Sequence, residues 1–269
     1  MFEELKPHLE ELRKRLVICA VSVVICFFVA FAFWEPILSF MTSPLRRVLP
    51  EGSDMIFTAI PETFFTAMKV SFFASLLVSM PIIFWQGWLF VAPGLYDNEK
   101  RYVIPFVVSA SAMFLLGASF AYFVAIPVAY QFLINFGGEL FKAMPRIGEY
   151  VGFFTKLVIA FGISFELPVV TFFTAKLGLV TDRALIGFFR YAVVAIFIFA
   201  AVMTPPDVLS QFLLAIPLIG LYGVSILVAK AINPAAKNEE KSEKDNINSD
   251  KNLDINKDEI SGEKKAENE

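Results

Sequence analysis

"KLVIAFGISFELPVVTFFTAK", residues 156–176, holds a single carboxylate, Glu166, between the lysines at its two ends. Nine uncharged residues separate Glu166 from Lys156 on one side and from Lys176 on the other. A stretch of this length and apolarity is typical of a helix that crosses a membrane. Its only acid then lies near the middle of the bilayer, where an ionised carboxylate is costly and marks a functional position.

The rest of the chain has the same apolar character. Of its 269 residues, 57% are hydrophobic and 31 are phenylalanine, and the mean hydropathy is +0.65. Uncharged runs of membrane-spanning length recur along the chain, whereas the ten-residue alternation of a membrane β-barrel is absent. Composition therefore predicts an all-α integral membrane protein.

Hydropathy predicts six transmembrane helices. They cover about 16–36, 70–91, 103–126, 157–175, 191–204 and 208–229. The third lies in a long uncharged run that Pro127 divides, so we expect one span followed by an apolar segment along the interface. The fifth is short, because only 16 residues separate Arg190 from Asp207. Such a helix covers about 24 Å of a roughly 30 Å hydrocarbon core, which predicts local distortion of the bilayer.

Prolines lie in or at the ends of most spans, at Pro81, Pro105, Pro127, Pro168 and Pro217. Each removes a backbone donor and favours a kink, so we expect a bundle bent into a concave shape. The alternative is the ordinary proline usage of membrane helices, which implies no particular shape.

The distribution of lysine and arginine predicts the orientation of the chain. Eleven of these residues fall on one side if the N-terminus is inside: Lys6, Arg13, Lys14, Arg15, Lys100, Arg101, Lys176, Arg183, Arg190, Lys230 and Lys237. Six fall on the other side: Arg46, Arg47, Lys69, Lys142, Arg146 and Lys156. Both termini are therefore predicted to be cytoplasmic.

Three segments follow from this orientation. Residues 1–15 form a cytoplasmic amphipathic N-terminus, and 16–232 form the six-span membrane domain. Residues 233–269 are rich in charged and polar residues and lack aromatic residues, which predicts a disordered cytoplasmic tail. A cleaved signal ending at "AFA" (30–32) is the less favoured alternative, because the uncharged run 16–34 is long enough to span the bilayer.

Catalytic, cofactor and metal motifs are absent from the sequence. It contains no GxSxG, HExxH or phosphate-binding glycine loop, and His8 is its only histidine, so we predict a protein that is not an enzyme and has no cofactor or metal. Cys19 and Cys26 lie about 10.5 Å apart along a helix, which is too far for a disulfide.

Two polar clusters flank predicted spans on the cytoplasmic side. "PHLEELRKRL" (7–16) contains Glu10 and Glu11, and "FVAPGLYDNEKR" (90–101) contains Asp97 and Glu99. One interpretation is a positive-inside anchor followed by a solvated turn. The other is a surface for a basic peptide, because arginine forms bidentate charge-assisted bonds with carboxylates.

Five motifs in order make the chain resemble the TatC family, the multispanning receptor subunit of the twin-arginine protein translocase. The motifs are "HLEELRKRL" (8–16), "SPL" (43–45), "FVAPGLY" (90–96), "FGISFELP" (161–168) and "TPPDVLSQ" (204–211). The resemblance runs from about residue 5 to residue 232. It implies a multi-pass protein of the bacterial cytoplasmic membrane that binds twin-arginine signal peptides of folded precursors. It also implies self-association, assembly with single-span TatA- and TatB-type partners, and export driven by the proton-motive force. It implies no binding of nucleic acid.

The resemblance also assigns roles to individual residues. It implies signal-peptide binding by Glu11, Arg13, Phe90, Pro93, Leu95 and Glu99. It implies intramembrane or partner-helix roles for Glu166, Asp207 and Gln211, and places Pro44 and Glu62 in the first periplasmic loop. The additional acids Glu10 and Asp97 depart from the commonest pattern, which leaves the division of labour within each cluster open.

Three alternatives remain open for the role of Glu166. It docks a partner helix through an interhelical hydrogen bond, or it bonds within its own bundle as static support. The third alternative belongs to another functional class, a proton- or ion-coupled transporter of small solutes in which Glu166 titrates. The absence of an evident internal repeat and of a second intramembrane acid or base beside Glu166 disfavours the transporter.

Overall fold

A computed structural model of the chain describes residues 2–91, 103–137, 143–204 and 207–232. These ranges are almost entirely helical. The α-helices are α1 (Phe2–Ala32), α2 (Trp34–Arg46), α3 (Glu62–Val91), α4 (Val103–Phe120), α5 (Ile126–Gly137), α6 (Ile147–Ser164), α7 (Glu166–Lys176), α8 (Asp182–Met203) and α9 (Val208–Ile232). A π-helical turn, Ala121–Ala125, joins α4 to α5.

Within the described part of the chain, six helical segments are long and apolar enough to cross a membrane, as the sequence predicted. They are α1, α3, α4 with α5, α6 with α7, α8, and α9. The α6–α7 segment lies at the centre, with 67% of its most apolar window buried, whereas no residue of the corresponding α1 window is buried. Helix α1 packs on α3, and α8 packs mainly on α9, so these two helices form the edges of the bundle.

The third span does not end at Pro127 as the sequence suggested. The helix continues through this proline to Gly137. Proline cannot donate to the carbonyl four residues before it, and the wider π-turn lies directly ahead of Pro127, where that bond would be missing. One helical path thus replaces the expected span and separate interfacial segment.

Two other bounds differ from the sequence prediction. Helix α8 has 22 residues, because it begins at Asp182 and carries Arg183 and Arg190 within it. At about 33 Å it is long enough to cross the hydrocarbon core, so the predicted short span is wrong. The hydropathy pattern also missed α2, a 13-residue helix that follows α1 after a break at Phe33.

Close packing of α4 against α6 forms the middle of the core. A Cβ atom on Gly117 would lie 2.6 Å from the carbonyl oxygen of Phe161, and one on Gly162 would lie 2.6 Å from the ring of Phe114. Gly117 therefore requires glycine, because it meets backbone, whereas a side chain at Gly162 would have to displace the buried Phe114 ring. Tyr150, Leu157 and other residues of α6 extend this core toward α2 and α3.

Helix α2 is attached to this core by two tyrosine hydroxyls. Pro44 lies inside α2 and has no N–H, so the carbonyl of Phe40, four residues earlier, lacks its helical donor. The Tyr122 hydroxyl donates to that carbonyl at 2.9 Å, and the two rings stack with centroids 4.6 Å apart. The Tyr150 hydroxyl donates to the carbonyl of Met41 at 2.6 Å. Tyr122 thus satisfies a carbonyl that Pro44 leaves free.

We predict that Tyr122→Phe lowers the free energy of unfolding by about 1 kcal/mol, because it leaves the part-buried carbonyl of Phe40 without a donor. In a Pro44→Ala background the cost should be smaller, since the alanine N–H can donate to Phe40. The measurement is a double-mutant cycle on detergent-solubilised protein. The control is Tyr150→Phe, whose cost should not depend on Pro44, because Leu45 keeps the N–H that serves Met41. Equal costs of Tyr122→Phe in both backgrounds would contradict the account.

Candidate functional site

The first candidate surface lies where α1 enters the membrane. Glu10 and Arg13 are exposed on this helix, whereas the Glu11 side chain is only 32% exposed. The Arg15 guanidinium, one turn further along α1, donates from Nε to Glu11 Oε1 at 3.2 Å and from Nη2 to the same oxygen. Its Nη1 donates to Gln86 Oε1 on α3 at 3.4 Å. Glu11 therefore already binds a guanidinium, and Arg15 connects α1 to α3.

The opposite part of this predicted surface is only partly described. Phe90 is half-buried near the end of α3, on the side of the membrane where α1 begins. Pro93, Leu95, Asp97 and Glu99 lie outside the described residues. Their predicted proximity to Glu11 therefore stays a prediction.

Glu166 begins α7, and the break before it has a local cause. Pro168 cannot donate to the carbonyl of Ser164, and α6 ends at that serine. The Glu166 side chain is buried, at 9% exposure, and neither carboxyl oxygen has a hydrogen-bond partner among the described residues. Buried polar groups in proteins are nearly always bonded, so the carboxyl has an unused capacity for a partner.

Asp207 and Gln211 lie at the start of α9. Asp207 Oδ1 accepts a 2.7 Å hydrogen bond from the backbone N–H of Ser210, so this side chain caps the helix. Gln211 Nε2 donates to the carbonyl of Phe197 at 3.1 Å and links α9 to α8. Helix α9 packs on α7, which starts with Glu166, but no hydrogen bond joins Glu166 to Asp207 or Gln211. The structure thus places this predicted group on adjacent helices without direct bonds between its members.

Glu62 connects the segment before α3 to the first turn of α6. Its Oε2 accepts hydrogen bonds from the backbone N–H groups of Thr58, at 2.8 Å, and Ala59, at 3.3 Å. Its Oε1 accepts one from Gly148 at 3.2 Å. A Cβ atom on Gly148 would lie 2.9 Å from that oxygen, so the glycine permits the approach. An acid is also favourable here because the N-terminus of α6 carries partial positive charge.

Pro44 is buried within α2, beside the same membrane face as Glu62. Both predicted loop residues therefore act on backbone structure: Pro44 removes a donor inside α2, and Glu62 supplies an acceptor to three backbone N–H groups.

The arrangement can bind charged and polar groups but does not assemble metal ligands. Within 2–91, 103–137, 143–204 and 207–232, no three His, Cys, Asp or Glu side chains come together as a metal site requires. Cys19 and Cys26 are free thiols. Sequence reasoning missed Arg15 as a partner of Glu11, although their spacing of four on a helix favours an ion pair in this order. Nothing in the sequence pointed to Gln86, which only the packing of α1 on α3 brings near.

Six spans, carboxylates at both membrane faces and a buried carboxyl between them define a multi-pass α-helical membrane protein with polar surfaces for partners. Comparison with known proteins makes this class specific. Residues 7–217 match the family model described as "Sec-independent protein translocase protein (TatC)". The chain belongs to the TatC family, and it is a component of the Sec-independent, twin-arginine protein translocase.

Relatives and solved structures agree with this assignment. The chain is 58% identical over 245 residues to the TatC protein of Campylobacter jejuni, covering 90% of this chain and all of the relative. It is 38% identical to that of Escherichia coli, covering 88% of this chain and 92% of the relative. A crystal structure entitled "Twin Arginine Translocase Receptor- TatC" superposes with a TM-score of 0.77 at 36% identity, covering 84% of this chain and 99% of that one. The transporter alternative has no support from these comparisons.

Glu62 and Glu149 provide a matched pair for testing the contact between α3 and α6. We predict that Glu62→Gln lowers the melting temperature, because the amide group turns donors toward backbone N–H groups. Glu149→Gln should have little effect, since that side chain is 72% exposed and is bonded only to Arg146 among the described residues. Gly148→Ala should resemble Glu62→Gln. The measurement is thermal unfolding of the purified variants, and equal melting temperatures for Glu62→Gln and Glu149→Gln would refute the role of Glu62.

Proposed function

We propose that this chain is the receptor that binds twin-arginine signal peptides of folded precursors at the cytoplasmic face of the bacterial inner membrane. The observation that carries the proposal is the Glu11 carboxylate, which already holds a guanidinium in the structure. Glu11 is partly exposed at the end of a span, where a peptide from the aqueous phase can reach it. Family membership supplies the context, and the charge distribution supports cytoplasmic termini.

In this proposal the two arginines of the signal bind Glu11 and Glu99. A guanidinium presents paired donors that match a carboxylate, whereas an ammonium does not, so the pair selects arginine over lysine. Arg13, Phe90, Pro93 and Leu95 shape the rest of the surface. The protein acts by binding and assembly, and no catalytic step is assigned to it.

Glu11→Gln should weaken binding of a twin-arginine signal peptide by about ten- to a hundredfold. This is the loss of a charge-assisted bond of about 1.5–3 kcal/mol. The measurement is photo-crosslinking of the peptide to inverted membrane vesicles, in which the cytoplasmic face is outside. Glu99→Gln should give a similar loss.

Glu10→Gln is the control for Glu11, because Glu10 is its exposed neighbour on the same helix. It should leave crosslinking nearly unchanged. Crosslinking at the wild-type level in both Glu11→Gln and Glu99→Gln would contradict the recognition proposal. Crosslinking only in right-side-out vesicles would instead overturn the proposed orientation.

Glu166 is proposed to dock the helix of a TatA- or TatB-type partner during assembly. Static support inside the bundle requires a bonding partner for the carboxyl, and the described residues provide none. A partner helix that carries a hydroxyl or amide donor can supply it. Interhelical hydrogen bonds of this kind contribute about 0.6–2 kcal/mol in membranes, which favours association while leaving it reversible. Asp207 and Gln211, on the helix packed against α7, belong to the same proposed assembly region. Self-association of the chain and export driven by the proton-motive force complete the proposal.

Glu166→Ala should reduce crosslinking to the single-span partner and export, while signal-peptide binding stays within about twofold. Glu166→Gln should be mild, because an amide still donates and accepts hydrogen bonds. The melting temperature of isolated Glu166→Ala should not fall, since no described bond is lost.

Thr171→Val serves as the control for burial, because Thr171 is a buried polar residue of the same helix. It should leave partner crosslinking intact. A lowered melting temperature in Glu166→Ala with normal crosslinking would favour static support. Equal loss of export in Glu166→Gln and Glu166→Ala would instead indicate a titrating role and would contradict docking.

A further inference from the structure

Arg15 is a polar residue beside the recognition surface to which the proposed function assigns no role. Its side chain is 19% exposed, less than that of Glu11, and it lies between the Glu11 carboxylate on α1 and the Gln86 amide on α3. Its guanidinium is therefore held on two sides. The residue that would bind the signal's arginine is occupied, in this structure, by an arginine of the chain itself.

The geometry of the pair leaves only one Glu11 oxygen available. The Nε and Nη2 groups of Arg15 both donate to Oε1, and no described residue donates to Oε2. A guanidinium that binds a carboxylate side by side needs both oxygens. An incoming arginine can therefore form its full pair with Glu11 only after Arg15 releases Oε1.

We propose that Arg15 is a resident competitor for the signal peptide: it occupies Glu11 in the free protein and is exchanged for an arginine of the bound signal. The inference rests on the proposed function of Glu11. Gln86 gives the displaced side chain a place to remain, because Nη1 already bonds its amide oxygen. Arg15 then stays against α3 with a neutral acceptor, while the signal's arginine takes the carboxylate.

The exchange lowers the affinity of arginine and lysine peptides by the same factor, because both displace the same resident guanidinium. An arginine can bond both carboxylate oxygens, whereas Arg15 uses only Oε1, so the incoming arginine gains more at Glu11 than Arg15 gives up. A lysine brings an ammonium, which cannot reproduce the paired planar bonds. Discrimination between the two peptides therefore arises in the bound states, and Arg15 sets the overall affinity.

The exchange also predicts the direction of change when Arg15 is removed. Competition requires that binding become tighter, because the peptide no longer displaces a resident cation. A role in orienting the Glu11 carboxylate requires the opposite, weaker binding. The two accounts therefore differ in the sign of the effect.

The test is the dissociation constant of a fluorescent twin-arginine peptide, and of its Lys-Lys variant, for full-length protein in lipid nanodiscs. Arg15→Gln should bind the arginine peptide about two- to fivefold more tightly, the size expected for release of a partly exposed ion pair. It should tighten the Lys-Lys peptide by the same factor, because the free state that Arg15 stabilises is common to both peptides. Arg15→Lys keeps the positive charge but not the planar guanidinium, so its affinity for the arginine peptide should lie between those of the wild type and Arg15→Gln.

Two further variants connect the effect to the observed contacts. In a Glu11→Gln background, Arg15→Gln should bring no gain, because the competition acts through that carboxylate. Gln86→Leu should leave the affinity for the arginine peptide nearly unchanged, because Arg15 bonds Gln86 both before and after the exchange. Melting temperatures close to that of the wild type identify the variants that are folded well enough to compare.

The outcomes separate this inference from the function on which it rests. Unchanged or weaker binding by both Arg15→Gln and Arg15→Lys, with a normal loss in Glu11→Gln, would overturn the exchange and leave the proposed receptor function intact. A gain in Arg15→Gln that persists in the Glu11→Gln background would also overturn it. Binding by the wild type that Glu11→Gln does not affect would overturn the proposed site itself, and the exchange with it.

Discussion

The close approach of α4 and α6 at Gly117 and Gly162 is the contact on which the rest of the bundle depends. In lipid, apolar side chains gain little by leaving the acyl chains, so helices associate where small residues let their surfaces interlock. Here the carbonyl of Phe161 and the ring of Phe114 occupy the space that side chains at these glycines would fill. Helix α3 packs on both members of this pair, α7 packs on α4, and α8 and α9 pack on α6. Helix α1 packs mainly on α3, which connects it to the pair.

The need to satisfy backbone groups away from water explains the polar residues around this centre. Pro44 and Pro168 each remove a helical donor, and the structure answers in two ways. At Pro44 a side chain, the Tyr122 hydroxyl, replaces the missing donor and fixes α2 to the core. At Pro168 the helix breaks instead, which places Glu166 at the start of α7. The same proline chemistry thus builds a fixed support at one membrane face and a buried carboxyl within the span.

The architecture separates the two proposed sites, the recognition surface at Glu11 and the docking position at Glu166. Glu11 lies on the edge helix α1, whose connection to the bundle includes the Arg15–Gln86 contact. Glu166 lies in the most buried span, without a described bonding partner. The proposed exchange would free Arg15 from Glu11 and leave it bonded to α3, which offers a physical route from an occupied recognition surface to the packing of the edge helix. The central pair of glycines can stay unchanged during such a step.

The amino-acid sequence by itself determined the class of the protein, the number of its spans and the acids to which function is assigned. These follow from properties of single segments: the length of an uncharged run and the cost of a carboxylate inside it. The resemblance of five motifs then supplied the family. A spacing of four on a helix also favours the Glu11–Arg15 pair, although sequence reasoning missed it.

Only the tertiary structure decided the features that depend on two distant segments. Hydropathy cannot show that a π-turn carries the third helix past Pro127 or that α8 begins at Asp182, ahead of Arg190. Nor can it show that α2 is helical. A charged residue or a proline lowers the hydropathy score equally whether it lies inside a helix or at its end. Nor can hydropathy pair Tyr122 with the carbonyl that Pro44 leaves free, Glu62 with Gly148, or Arg15 with Gln86. Each of these contacts joins groups 71 to 86 residues apart. Their physical cause is helix packing, which brings a donor close to an acceptor that lies far away in the sequence.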